Sequence, residues 1–513
     1  MTAQTARGHN GVVSAGHRLA SEAAIAVLRD GGNAVDASIA AALVLAVVCP
    51  YAVSLAGDLY ALVYDPKTGA VAGLNGTGCS PQSATLARFA SGIPGTGVLS
   101  ATVPGMLRGL DDLARRFGTI NLATLIQPAL RLAEDGFPVH RQLAANTADR
   151  AELLAKNAAA RALFLPGGAA LAEGTIFRQP DLAAVLRTLT AEGVESFYGG
   201  EIARLLARSS QAIGGLLTAQ DLAAHRSLWQ EPIAAPFYGH DVLTMPPNSF
   251  GATLLWQLLT LEVGKIDRID PASADFVLQG YETRRAAYRA AARFIADPHV
   301  AESKLRRALI EAITGEAAPA NQPVPSEARD RCTTCVTAID RDGMAVSLIE
   351  SVSAPYGAGV VLGGTGILLN NRMAGFNIDP ASDNFVAPGK RPANTLAPCL
   401  VMKNGKLVIS VGTPGTVGQT CTLAQFLARV LACGEDPATA ASAPRWSVDF
   451  QGKLVVEDTM APALRAAVQA RQPEARTMRE GWISFGSIKL AAATAEGLLG
   501  VADHRRVAQA LAW

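Results

Sequence analysis

The sequence is poor in charge and in aromatic rings. Of 513 residues, 17% are Asp, Glu, Lys or Arg, 5% are Phe, Trp or Tyr, and the formal net charge is +1. No block of Lys or Arg stands out, which argues against nucleic acid or an acidic membrane surface as a partner. The N-terminus, MTAQTARGHNGVVSAGH, lacks a basic segment followed by an apolar one, so a cytoplasmic protein is expected. The longest apolar run, Ile39 to Cys49, lies between Asp36 and Pro50. It is too short to span a bilayer and reads as a buried helix. The seven cysteines are an odd number and scattered, as reduced thiols are.

Several catalytic signatures are missing too. There is no G-x-S-x-G elbow and no G-x-x-x-x-G-K-[ST] loop. Beyond residue 333 the only histidine is His504, so a Ser-His-Asp triad has no evident base. Cys332 and Cys335 form a C-x-x-C, but no second such pair or paired histidines would complete a zinc site. No metal, nucleotide, flavin or other cofactor is expected.

What is present is a large apolar share, 49%, over a length sufficient for two or three domains. The first half reads as helices. HRLASEAAIAVLRDGGNAVDASIAAALVLAVVCP is two of them, with Ser21 expected as an N-cap and DGGN at 30–33 as a stop and restart. LYALVYDPKTGAVAGLNGTG alternates and turns as a hairpin. Residues 315–330, GEAAPANQPVPSEARD, form a polar connector without apolar periodicity. Beyond it the character changes. CVTAIDRDGMAVSLIES, GVVLGGTGILLNN and CLVMKNGKLVISVGTPG read as hairpin strands, and QTCTLAQFLARVLA as a helix. Helices flanking strands imply a sheet covered by helices.

The junction at 331–340, RCTTCVTAID, admits three readings: a redox or metal C-x-x-C, an ordinary strand start, or a hidden nucleophile. A redox pair wants a helix N-terminus, whereas this pair opens a strand. A Thr-Thr pair fits β-propensity without any further role. A threonine hydroxyl becomes a nucleophile if a base adjoins it, and its own α-amine, with a pKa of about 7.7–8.0, can be that base. For Thr333 this requires cutting the chain after Cys332.

A resemblance bears on that choice. HRLASEAAIAVLRDGGNAVDASIAAALVLAVV, VPGMLRGLDDLARRFG, LIQPALRLAEDGFPV, GGLLTAQDL, MPPNSFGATLL, TGILLNNRMAGF, GKRPANTLAPCLV, VGTPGTVGQT and APRW occur in order along nearly the whole chain. Through them the chain resembles the gamma-glutamyltransferase family of N-terminal nucleophile (Ntn) hydrolases. The resemblance implies an α+β fold, a four-layer αββα sandwich. It implies one chain that cuts itself into a large piece, residues 1–332, and a small piece, residues 333–513, paired as a heterodimer with further oligomerisation open. Thr333, seven residues before Asp340, matches the family's nucleophile. Ser351 matches the hydroxyl that holds its freed amine, with Ser353 two residues on. Gly415 and Thr416 match the backbone donors of an oxyanion hole.

The resemblance departs from the family's pattern where substrate binds. Thr77 stands in place of an Arg that clamps the glutamyl carboxylate. Gly375 replaces an Asp that holds the α-amine, and Asn394 and Thr395 replace a Ser-Ser pair. Arg372 is a new charge, expected as a carboxylate clamp, and Asp58 is expected to line the same pocket or to cap a turn. The implied activity is acyl transfer from a small amide to water or an amine, through gamma-glutamyl hydrolysis or transfer. Alternatives are a different carboxylate-bearing amide, as in oxamate amidohydrolases or cephalosporin acylases, and an inactive relative serving as a binding protein.

The first expected outcome is self-cleavage between Cys332 and Thr333. Purified protein should yield two fragments, with Thr333 at the new N-terminus by Edman sequencing or mass spectrometry. Thr333→Ala should stay as one chain, and its normal processing would exclude Thr333 as the attacking residue.

Overall fold

Alternating apolar residues build the strands where the pattern places them. Cys332–Asp340 and Ala345–Ser353 pair antiparallel, Thr337 opposite Ser347, around a turn at Gly343. Asp58–Asp65 and Ala70–Gly76 form the expected early hairpin, and Cys399–Lys403 and Lys406–Gly412 a later one. In this computed structural model the described residues are 2–291, 293–301, 305, 309, 332–449 and 451–513; the connector at 315–330 lies outside them.

These strands join two seven-stranded antiparallel sheets. One runs Gln509–Ala512, Gly11–Ala15, Cys332–Asp340, Ala345–Ser353, Asp58–Asp65, Ala70–Gly76, Leu228–Gln230. The other runs Gln4–Gly8, Gly497–Ala502, Lys489–Thr494, Lys406–Gly412, Cys399–Lys403, His240–Thr244, Ile233–Phe237. Each sheet mixes strands from before and after Thr333.

The sheets face each other across a layer that includes Tyr60, Leu62, Cys335, Ile349, Leu400 and Met402. Outside the first sheet, helices Arg18–Arg29 and Ala34–Val48 pack on Val336 and Leu348. Outside the second, Gly251–Val263, Ala274–Ala291 and Gln419–Leu427 pack on Val401 and Val411. The result is the expected four-layer αββα sandwich. Because both faces of the first sheet are covered, every residue of Cys332–Asp340 and Ala345–Ser353 is buried, as in a doubly covered sheet. The run expected as a buried helix is one: all of Ala34–Val48 is buried. No helix among the described residues is long and apolar enough to cross a membrane.

One expected cap is corrected. The first helix starts at Arg18, and the His17 ring, 3.2 Å away, accepts from Leu19 N. Ser21 lies inside the helix, where its hydroxyl donates to Gln509 O at 2.8 Å and ties the helix to the last strand. The cap sits earlier because His17 has the extended backbone an N-cap requires.

Asp340 ties the strand that carries Thr333 to the buried helix. Its Oδ2 accepts from Ala34 N at 2.9 Å, and its Oδ1 accepts from Asp342 N and Met344 N, both at 3.0 Å. The carboxylate thus meets a positive helix end and closes the hairpin turn. Asp340→Ala should strand these buried donors at a cost of about 1–3 kcal/mol each where water cannot replace the bond. A denaturant midpoint for uncut Thr333→Ala/Asp340→Ala equal to that of Thr333→Ala would contradict this role.

Candidate active site

Thr333 opens the strand Cys332–Asp340, where the ladder slips between Cys332 and Thr334. Such a bulge frees a side chain from regular pairing and redirects it. The Thr333 hydroxyl lies 3.3 Å from Ser351 Oγ and 3.5 Å from Gln419 Nε2. Ser351 in turn donates to the Cys332 carbonyl at 2.5 Å and accepts from Ser353 N at 2.8 Å. One small side chain therefore touches both the Thr333 hydroxyl and the Cys332 carbonyl. Ser353 takes part through its backbone, in a left-handed conformation with φ of 82°.

Gly415 lines the same cleft as Thr333. Gly415 and Thr416 have φ of 141° and 58°; Gly415 precedes and Thr416 opens a short turn of helix, Thr416–Gly418. Their N–H groups come before the first intrahelical donor, so they are available to an anion. Thr416, Ser353 and Tyr356 are non-glycine residues with positive φ, Ser353 at the end of its strand and Thr416 at the start of a helical turn. Strained positions of this kind cluster where geometry serves chemistry.

The cysteines are not competing nucleophiles. Cys335 packs between the sheets and Cys332 on the helix side, so the C-x-x-C splits across two layers. Burial pushes the thiols of Cys49 and Cys335 up to about 12 and about 11. Both stay protonated and inert near neutral pH.

The residues expected to bind substrate form a closed network instead. Arg372 and Asp58 are wholly buried, with Nε 2.7 Å from Oδ2. The contact is an ion pair rather than an aligned hydrogen bond, and Nη1 and Nη2 make no hydrogen bond among the described residues. Asp58 also accepts from Gly78 N and Asn394 Nδ2, each at 2.9 Å. Burial raises the Asp58 carboxyl above its ordinary range, and the Arg372 charge opposes that shift. The expectation of an Arg372 free to clamp a carboxylate is therefore corrected: its counter-charge is already inside the protein. Asp58 is wholly buried and anchors this pair.

Thr77 is likewise committed. Its hydroxyl donates to Asn75 Oδ1 at 2.6 Å, and it is buried, as are Asn394 and Thr395. Gly375 offers no side chain and has no room for one: a Cβ there would lie 2.6 Å from Ala393 O. Gly375 as a binding residue is corrected on that steric ground.

Residues that the sequence reading passed over line the Thr333 cleft: Tyr51, Gln142, Lys489 and Arg506. Gln419, at the start of a helix, reaches the Thr333 hydroxyl. Lys489 could have been flagged as a charge interrupting the apolar run ISFGSIKLAAAT. Arg506 carried no local signal.

The Asp58–Arg372 pair generates a stability test. Removing one partner of a buried pair costs about 3–5 kcal/mol, because the other charge is left uncompensated. Asp58→Asn and Arg372→Met should each lower the unfolding free energy by that order, and the double variant should recover a large part of it. Singles that melt like wild type would show the pair to be solvated.

The geometry has counterparts among known proteins. Residues 20–513 match the family model described as gamma-glutamyltranspeptidase. The chain is 36% identical over 451 residues to the glutathione hydrolase-like YwrD proenzyme of Bacillus subtilis, covering 86% of this chain and 85% of that protein. It is 33% identical over 488 residues to the oxamate amidohydrolase proenzyme of Klebsiella pneumoniae, covering 90% of each. Its fold matches the crystal structure of cephalosporin acylase from Bacillus halodurans with a TM-score of 0.90 and 29% identity, over 99% of this chain and 97% of that one. With a threonine poised at the head of a buried strand of an αββα sandwich, and a match that runs almost end to end, this chain belongs to the gamma-glutamyltranspeptidase family.

Proposed function

We propose that the protein is a self-processing amidohydrolase that uses Thr333 twice, first on its own backbone and then on a small amide. The observation that carries this is Ser351, whose hydroxyl lies 3.3 Å from Thr333 Oγ1 and donates to Cys332 O at 2.5 Å. In processing, Thr333 Oγ attacks the Cys332 carbonyl carbon while Ser351 polarises the carbonyl oxygen. The C–N bond breaks, the nitrogen takes the hydroxyl proton, and an ester links Cys332 to Thr333 Oγ. Water hydrolyses the ester, leaving a Cys332 carboxylate and a free Thr333 amine. The products are residues 1–332 and 333–513, held together by sheets that both contribute to.

In turnover the freed amine is the base. It takes the Thr333 proton as Oγ attacks the substrate carbonyl, then gives that proton to the leaving amine. Water releases the acyl group from the ester; transfer to an amine acceptor follows the same path. Gly415 N and Thr416 N are the proposed donors to the oxyanion, a contribution of roughly 10²–10³ in rate per donor. That relatives carry the names glutathione hydrolase-like proenzyme and oxamate amidohydrolase proenzyme supports amides as substrates and a cut chain as the working form. Gamma-glutamyl amides are the leading class on family grounds. A second reading, a carboxylate-bearing amide without an α-amine, is favoured by the closed Asp58–Arg372 pair and the crowded Gly375. A cytoplasmic location completes the proposal.

The test is a screen of cleaved protein against glutathione, a gamma-glutamyl anilide, oxamate and succinamate, with Thr333→Ala as control. At least one amide should be hydrolysed by wild type and none by Thr333→Ala. The amides lacking an α-amine should exceed glutathione in kcat/KM. Turnover by Thr333→Ala would refute the nucleophile, and glutathione as best substrate would refute the second reading.

A further inference from the structure

The cleft that reaches Thr333 is lined by two cations, Lys489 and Arg506, and, among the described residues, by no acid. Lys489, from the strand Lys489–Thr494 of the opposite sheet, is almost wholly buried. Its ammonium donates to Ser487 O at 3.1 Å and Ser487 Oγ at 2.9 Å, which uses two of its three donors. Arg506 is half-buried. Its Nη1 donates to Gly481 O at 2.8 Å and its Nη2 to Ile483 O at 3.4 Å. Two backbone carbonyls thus fix the guanidinium, and the rest of its five N–H donors are left to other partners.

Neither cation has a carboxylate within 4 Å among the described residues. Asp503, whose charge Lys489 feels, is engaged by Arg445 at 2.6 Å and Arg505 at 3.2 Å. The contrast with Arg372 is direct. Arg372 has its counter-charge in place and does not line this cleft, whereas Arg506 lacks one and shares the cleft with the nucleophile and Gly415. Low-dielectric walls around unpaired positive charge favour an anion, and a planar guanidinium suits a carboxylate.

We propose that Arg506, backed by Lys489, binds the carboxylate of the amide substrate in the Thr333 cleft. This deepens the amidohydrolase reading and rests on it for the word substrate. The shared chemistry is a carboxylate, which has two sources: a substrate, and the Cys332 terminus that processing would free in the same cleft.

The experiment separates them. Glutarate, a carboxylate probe without an amide, is titrated calorimetrically into cleaved wild type, cleaved Arg506→Gln, cleaved Arg506→Lys and uncut Thr333→Ala, each first checked for a native melting transition. Saturable binding to wild type is expected. It should weaken about tenfold or more in Arg506→Gln, the loss of hydrogen bonds to a charged group, and be largely kept in Arg506→Lys. In parallel, the ratio of kcat/KM for succinamate over butanamide should fall by a similar factor in Arg506→Gln. No binding to wild type, binding unchanged in Arg506→Gln, or binding to uncut but not to cleaved protein overturns the proposal; the last outcome assigns the site to the Cys332 carboxylate. Glutarate binding that depends on Arg506, in a protein that cleaves no amide, would leave the anion site standing and refute the amidohydrolase reading.

Discussion

The placement of Thr333 depends on one strand, Cys332–Asp340, held along both edges. Gly11–Ala15 pairs with one side and Ala345–Ser353 with the other, while Asp340 fastens its far end to the buried helix at Ala34. The register is pinned by what lies on each face: Cys335 and Ile339 point between the sheets, Val336 and Ala338 toward the helices. A slip of one residue would exchange these faces, so the ladder has little freedom. Thr333 sits at the one place where that ladder is irregular. Rigid support up to an irregular position is what a reacting group needs, because geometry off by an ångström costs heavily in rate.

Charge is handled in two ways in this interior. Some charges are closed off among themselves. Arg505 grips Glu457 at 2.6 Å through both Nε and Nη2, Arg445 holds Asp503, and Arg372 faces Asp58. Such pairs offset part of their own desolvation. Lys489 and Arg506 are held by backbone and hydroxyl oxygens instead, which orient them without neutralising them. Orientation without neutralisation leaves a cation able to attract an anion, and these two line the cleft at Thr333.

The same distinction explains which parts of the site could be read from the chain. Thr333 was legible as a candidate because a Thr-Thr pair at a junction is a local signal, and the resemblance to the family, with Asp340 seven residues on, favoured it over a plain strand start. The hairpins were legible for a similar reason, since alternation and turn residues are neighbours in sequence. Arg372 was misread because its partner, Asp58, is hundreds of residues away, and neither position indicates alone that the two meet. Ser21 was misplaced as a cap because its partner is Gln509, on the last strand. Arg506 was passed over because a guanidinium after a strand looks like any surface arginine until the fold carries it beside Thr333.

The sequence by itself determined the period-2 strands, the buried helix Ala34–Val48 and the lack of a Ser-His-Asp triad or phosphate loop, which follow from hydrophobic period, turn chemistry and short local motifs. At Thr333 it left three readings open, and the family resemblance favoured the nucleophile. Only the tertiary structure decided which charges pair and which stay open, that Gly375 has no room for a side chain, and that Ser351 touches both Thr333 and the Cys332 carbonyl. The physical reason is that Coulomb and hydrogen-bond energies depend on distances of a few ångströms between residues far apart in the chain, and those distances exist only once the two sheets have closed on each other.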